Sequence, residues 1–121
     1  MNGVKKKITI YQKPSCSTCR KVFAILKSKP DVDMESINYF IDPIPKKKIE
    51  ELLFKMKMSA AELLRKSEPL YQGLGLGEKK YSEEYLIDLM VSHPDLMQRP
   101  IVERGGKAIL ARPPERIKEL L

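Results

Sequence analysis

Residues 4–29 read VKKKITIYQKPSCSTCRKVFAILKSK, and the fold turns on how this stretch is read. Its first part, Val4 to Tyr11, ends in alternating β-branched and aromatic residues, the pattern of a strand with two unlike faces. From Ser17 to about Lys29 the apolar positions change period: Val22, Phe23 and Leu26, with Ala24 and Ile25 beside them, recur at helical spacing and stop before Pro30. Strand, short loop and helix are followed by MESINYFI, residues 34–41, which reads as a second strand. The crossover through the helix makes the two strands parallel and completes a βαβ unit. The loop after the first strand brings in both cysteines of the chain, Cys16 at the mouth of the helix and Cys19 one helical turn on.

Beyond that unit, Pro43 and Pro45 open a helix over about residues 45–57, where Ile49, Leu52, Leu53 and Met56 form one apolar stripe. A shorter helix, SAAELLRK, starts at Ser59 with Glu62 at the capping-box spacing. QGLGLG, residues 72–77, resembles a phosphate loop only in its glycines; no strand precedes it and no GK[ST] follows, so a flexible connection is expected. Ser82 caps a further helix to about Val91, with Glu83 and Glu84 in its first turn. Residues 100–103, a turn at Arg104-Gly105-Gly106, and residues 107–111 read as an antiparallel hairpin, and Pro113-Pro114 start a last helix over 114–121. The expectation is an α/β fold: a mixed sheet built as βαβ then ββα, one domain over 1–121, with a helical insertion at about 44–95.

Composition bounds the partners. A formal charge of +7 suits an anion, an acidic protein or nucleic acid. Its short clusters, Lys5-Lys6-Lys7 and Lys46-Lys47-Lys48, carry no interleaved aromatic residues and match no nucleic-acid motif, so solvated faces are expected and no direct nucleic-acid contact. No apolar run approaches the roughly 20 residues of a membrane helix, and the start of the chain lacks a signal-peptide pattern. A soluble, cytoplasmic protein without a membrane partner follows as the expectation, and in that compartment two cysteines do not form a structural framework.

CSTC then admits three readings: a redox pair, half of a zinc site, or two inert core residues. Zinc lacks its other ligands, because there is no third cysteine and His93 is the single histidine. His93 is expected at a helix end in a structural role. A cysteine just after a strand and at the start of a helix faces unpaired N–H groups and the positive end of the helix dipole, and Lys13, Arg20 and Lys21 add charge of the kind that lowers a thiol pKa. Cys19 lies one turn on and can resolve an adduct on Cys16. Redox chemistry is the reading adopted, with no bound cofactor or metal.

Four segments, KPSCSTCRK (13–21), LLRKSEPLY (63–71), SHPDLMQRPIV (92–102) and ARPPE (111–115), resemble those of the ArsC/Spx family in order and spacing across nearly the whole chain. The resemblance implies a thioredoxin-like fold with an inserted helical subdomain, and an arsenate reductase-like thiol oxidoreductase. It matches Cys16 to the nucleophile and Arg65, Arg99 and Arg112 to three arginines around an oxyanion, with glutathione and glutaredoxin, or thioredoxin, as electron donor. Guanidinium forks fit that task, since they bind a tetrahedral anion and stay protonated while a thiolate approaches it. A cis peptide bond is expected at Arg99-Pro100. Two positions depart from the reductases: Cys19 stands where they carry serine, and Gln12 where they carry histidine. The intact pair also fits the other branch, a redox-switched Spx-type regulator that binds the RNA polymerase α subunit, and a glutathione-linked thiol reductase for another small molecule would share the site but not the substrate.

Overall fold

The computed structural model describes residues 5–121; Val4, the first residue of the expected opening strand, lies outside them. The chain divides into two compact units, Met1–Asp42 with Arg99–Leu121, and Pro43–Gln98. Among the described residues no helix is long and apolar enough to cross a membrane.

The first unit holds β1 (Lys6–Gln12), α1 (Ser17–Lys27), β2 (Val32–Asn38), β3 (Ile101–Arg104), β4 (Lys107–Leu110) and a closing 3₁₀ helix, Pro114–Leu120. The strands lie in the order β2-β1-β3-β4, with β1 and β2 parallel and the other two pairs antiparallel. Period-two alternation puts Ile8 and Ile10 on one face of β1. Register then extends a row from Ile10 to Val102 and Ile109. This face buries against Val22 and Leu26 of α1 and Ile117 and Leu120 of the 3₁₀ helix. Cutting a fully buried member such as Leu26 back to alanine costs about 2–5 kcal/mol. Tyr11, Ile101 and Leu110 on the opposite face are buried as well, and the Tyr11 hydroxyl donates to buried Glu103 at 3.1 Å.

The hairpin turns at Gly105, whose φ of +56° is one that side chains rarely adopt, and this allows the tight Arg104–Lys107 pairing. The last carbonyls of the 3₁₀ helix are met by cations from the hairpin, Arg104 Nη1 to Leu120 O at 2.7 Å and Lys107 Nζ to Glu119 O at 3.0 Å. Favourable charge at a helix C-terminus is the general reason for that choice. The expected 114–121 helix thus forms as 3₁₀ rather than α.

β2 departs from its expected 34–41. It begins at Val32 and ends at Asn38, whose Oδ1 takes the Phe40 N–H at 3.1 Å while its carbonyl takes those of Ile41 and Asp42. An asparagine that bonds its own following backbone turns the chain, whatever the β propensity of Tyr39, Phe40 and Ile41.

The second unit holds α2 (Lys46–Met56), α3 (Ala60–Leu63), α4 (Pro69–Gly73), α5 (Glu83–Ser92) and a 3₁₀ turn, Pro94–Leu96. α2 and α3 both pack on α5, burying Ile49, Leu52, Leu53, Ala60, Leu63, Leu86, Ile87 and Met90. Where α2 meets α5, Lys46 Nζ lies 3.2 Å from Glu84 and 2.9 Å from Asp88. α3 stops short of the expected SAAELLRK helix because Leu64 bridges Met97 in an antiparallel pair, flanked by Arg65 N–H to Leu96 O at 2.7 Å and Gln98 N–H to Leu63 O at 2.9 Å. Tertiary pairing overrides local helix propensity there. Part of the connection expected at 72–77 is helical too: Pro69 sits at the start of α4, where its missing N–H costs nothing.

Candidate functional site

Sheet register assembles the site in the first unit. β1 and β2 run parallel with Gln12 opposite Asn38, so the cysteine loop after β1 and the Tyr39-Phe40 turn after β2 leave the sheet at one end. β3 enters antiparallel at the same end, with Ile101 opposite Tyr11, so Arg99-Pro100 arrives there; β4 leaves there after Leu110, carrying Arg112. Ala111 N–H to Pro100 O, at 3.0 Å, ties the last two segments together. The Arg99-Pro100 bond is cis as expected, and Arg112-Pro113 is cis as well.

Cys16 is the N-cap of α1, and its sulfur accepts the Cys19 N–H at 3.4 Å. No acidic residue stands in the first turn of α1 to compete for the dipole. Partial burial opposes ionisation of Cys16, but the Cys19 backbone N–H, the Cys19 thiol and the Arg99 guanidinium, all bonded to the sulfur, together hold its pKa below the ordinary value. Cys19 is fully buried and goes the other way. Burial first, and then the charge of Cys16, push its thiol up to about 12. The pair is therefore unequal: Cys16 is the sulfur that ionises, and Cys19 is a thiol donating to it.

Arg99 is buried, with 6% of its surface exposed, and holds its proton more firmly than a free arginine. Burial works against its charge; the Tyr39 phenol and the Cys16 sulfur, through their interaction with the guanidinium, outweigh it. Its carbonyl accepts Arg112 Nη1 at 3.0 Å, which brings Arg112 to the same strand end. Arg65 belongs to the second unit, on the segment that pairs with Leu96.

Among the cations that the sequence sets beside the thiol, the roles differ from expectation. Arg20 Nη1 donates to the carbonyls of Pro14 at 3.3 Å and Ser15 at 2.8 Å, and so braces the loop. Lys13 Nζ lies 4.6 Å from the centroid of the Phe40 ring. Lys21 is exposed, and the guanidinium that stands out in lowering the Cys16 pKa is the distant Arg99. Charge along a helix surface is solvated, whereas a buried guanidinium acts through less screening. Gln12 is buried with its Nε2 donating to Ser36 Oγ at 2.5 Å. His93 caps α5, its N–H bonded to Leu89 O at 2.7 Å. Among the described residues, no group of three or more His, Cys, Asp or Glu side chains gathers as metal ligands do.

Tyr39 and Phe40 escape the sequence reading, which places them inside a strand. The signal that finds them is Asn38, a turn-former at the end of a parallel strand, where α/β sheets collect their functional loops.

The chain is similar to known proteins over nearly its full length. Residues 11–120 match the ArsC family. The chain is 41% identical over 117 residues to uncharacterized protein YfgD of Escherichia coli strain K12, covering 96% of this chain and 98% of that one. It is 36% identical over 114 residues to the arsenate reductase of the same organism, covering 94% and 80%. The solved structure of an arsenate reductase from Vibrio cholerae superposes with a TM-score of 0.90 at 30% identity, over 97% of this chain and 99% of that one. The mixed sheet with its helices is the thioredoxin-like fold. With nearly its full length matched in sequence and in backbone, the chain belongs to the ArsC family.

Proposed function

We propose that this protein is a thiol-dependent oxyanion reductase of the arsenate reductase type, working in the reducing cytoplasm. The observation that carries the reading is the buried Arg99 guanidinium bonded to the Cys16 sulfur at the start of α1. A cation set there serves the thiolate before reaction and the oxyanion during it.

The Cys16 thiolate attacks arsenic(V) of arsenate. A sulfur–arsenic bond forms, and one oxygen takes up protons and leaves as water. Arg99 and Arg112 bind the remaining oxygens and offset their charge as the anionic sulfur approaches, a task that the family resemblance also assigns to Arg65. A second thiol, Cys19 or glutathione, then attacks the Cys16 sulfur: a sulfur–sulfur bond forms, the electron pair of the sulfur–arsenic bond stays on arsenic, and arsenite departs as arsenic(III). The disulfide takes two electrons from glutaredoxin or thioredoxin and returns to thiols. Cys19 is a poor nucleophile while its pKa stands at about 12, and neutralising the Cys16 charge in the adduct removes the part of that rise that comes from Cys16, leaving burial.

A coupled assay with arsenate, run with glutathione plus glutaredoxin and separately with thioredoxin, tests the reading. Turnover with either donor, abolished by Cys16→Ser, is the expected result. Absence of turnover with both donors removes it. The intact pair also supports a second reading, an Spx-type switch: its signature is redox-dependent capture of the RNA polymerase α subunit by a protein that does not turn over arsenate.

A further inference from the structure

We infer that Phe40 is a positioning residue for the thiolate site: its ring holds the Lys13 ammonium, on the loop that leads to Cys16, and the Arg99 guanidinium, which bonds the sulfur. The two cations lie 4.6 Å and 5.9 Å from the ring centroid. The arms they belong to come from distant parts of the sequence, one following β1 and one preceding β3.

The platform itself is secured from three sides. Phe40 packs on Tyr39 with ring centroids 5.0 Å apart, Tyr39 is 1% exposed and interacts electrostatically with Arg99, and the Phe40 N–H is held by Asn38 Oδ1 at 3.1 Å. Asn38 sits opposite Gln12 in the parallel register, so the height of the platform above the sheet edge is tied to the start of the cysteine loop. Lys13 in turn governs that loop through its backbone: its carbonyl accepts the Cys16 N–H at 2.9 Å, and its N–H reaches the Cys19 sulfur.

The residue type matters. A carboxylate at this place would bind both cations but would neutralise the charge that the sulfur and an incoming anion need. An aliphatic side chain would fill the space without attracting either cation. An aromatic face attracts a cation through its quadrupole and leaves the formal charge intact. Phe40 therefore fixes where Arg99 points without reducing what Arg99 can do.

The catalytic meaning of this inference rests on the proposed reduction, but its test reads the sulfur rather than turnover. In a Cys19→Ala background, alkylation of Cys16 by iodoacetamide is followed by mass spectrometry as a function of pH. The groups that set its midpoint are then the backbone N–H of residue 19 and Arg99. Phe40→Leu is expected to move the midpoint up by about half a unit, about a threefold slower reaction at neutral pH, and Phe40→Tyr to restore it. Lys13→Gln shifts the midpoint in the same direction, and the double variant shifts less than the sum of the two, since both act through one ring. An unchanged midpoint in folded Phe40→Leu, or additive shifts in the double variant, overturns the inference. If Phe40→Leu does not fold, Lys13→Gln alone decides, with an unmoved midpoint as the overturning result. A shifted midpoint in a protein that never turns over arsenate leaves Phe40 in this role and removes the reductase reading instead.

Discussion

The start of α1 and the starts of α3 and α5 solve the same problem in opposite ways. Each helix begins with N–H groups that lack partners. In the second unit the solution is oxygen and carboxylate. Ser59 accepts the Glu62 N–H at 3.2 Å while Glu62 accepts the Ser59 N–H at 2.9 Å, and Glu83 takes the Ala60 N–H at 3.0 and 3.1 Å. Ser82 accepts the Tyr85 N–H at 3.1 Å, with Glu83 and Glu84 in the same turn. At α1 the acceptor is a sulfur at 3.4 Å, no acid follows, and the residue after Cys19 is Arg20. As a thiol, sulfur is a weak acceptor, so this cap stabilises its helix less than a serine would until it ionises. The dipole of α1 is thus kept for an ionisable atom, whereas α3 and α5 use theirs to hold the helical unit together.

Replacing the sulfur by oxygen removes this contrast most completely. Cys16→Ser is expected to reduce thiol-dependent arsenate turnover to background while the protein stays folded, measured by the coupled assay and by thermal unfolding. Stability then separates the two proteins by pH. Because the folded pKa of Cys16 lies below 9.0, the wild type gains stability relative to the variant as pH rises through that folded pKa toward 9.0, and loses the gain as pH falls again. Below that window the serine cap is expected to be the better one, by about 0.5–1 kcal/mol.

Cys19 should show the reverse slope. Its folded pKa is raised, so between pH 9 and about 12 the unfolded chain releases a proton that the native protein keeps, and stability falls as pH rises. Relative to Cys19→Ala, the wild type is expected to lose on the order of 1 kcal/mol per pH unit across that window, read from urea midpoints. Parallel curves for the two proteins would mean that Cys19 ionises as freely when folded as when unfolded.

Effects in the second unit should be smaller and confined to stability. Ser59→Ala removes one side of the capping box and is expected to cost about 1 kcal/mol, with the alkylation profile of Cys16 unmoved. The Glu62 carboxyl, held below its ordinary pKa by the Ser59 N–H and hydroxyl, should make the wild-type advantage fade as pH falls through that lowered value. The smallest effect is a gain. Lys57 ends α2 at φ +56°, a conformation glycine adopts freely, and Lys57→Gly is expected to add a few tenths of a kcal/mol to unfolding stability.

Legibility follows the range of the interaction that shapes each element. The β1-loop-α1 unit and the hairpin at Gly105 are written in local period and turn chemistry, and both form close to where the residues place them. The Ser59–Glu62 box is equally local. The end of α3 is not, because Leu64 leaves the helix to pair with Met97, far along the chain. Nor is the end of β2, where one hydrogen bond from Asn38 outweighs the strand propensity of the residues that follow. At the site, Cys16, Cys19 and the matched arginines Arg99 and Arg112 can be named from motifs. The charge partner of the sulfur cannot: its sequence neighbours Lys13, Arg20 and Lys21 are the natural choice, yet Arg20 serves the loop and Lys13 a ring.

Local sequence is enough to set a cysteine at the junction of a strand and a helix, a position that favours its thiolate through helix geometry alone. It is the assembled sheet that selects the cation completing that thiolate and stands Tyr39 and Phe40 beside it. The physical reason is that electrostatic and cation–π interactions act through space over a few ångströms, and sheet register alone brings residues 13–16, 39–40 and 99–112 within that range.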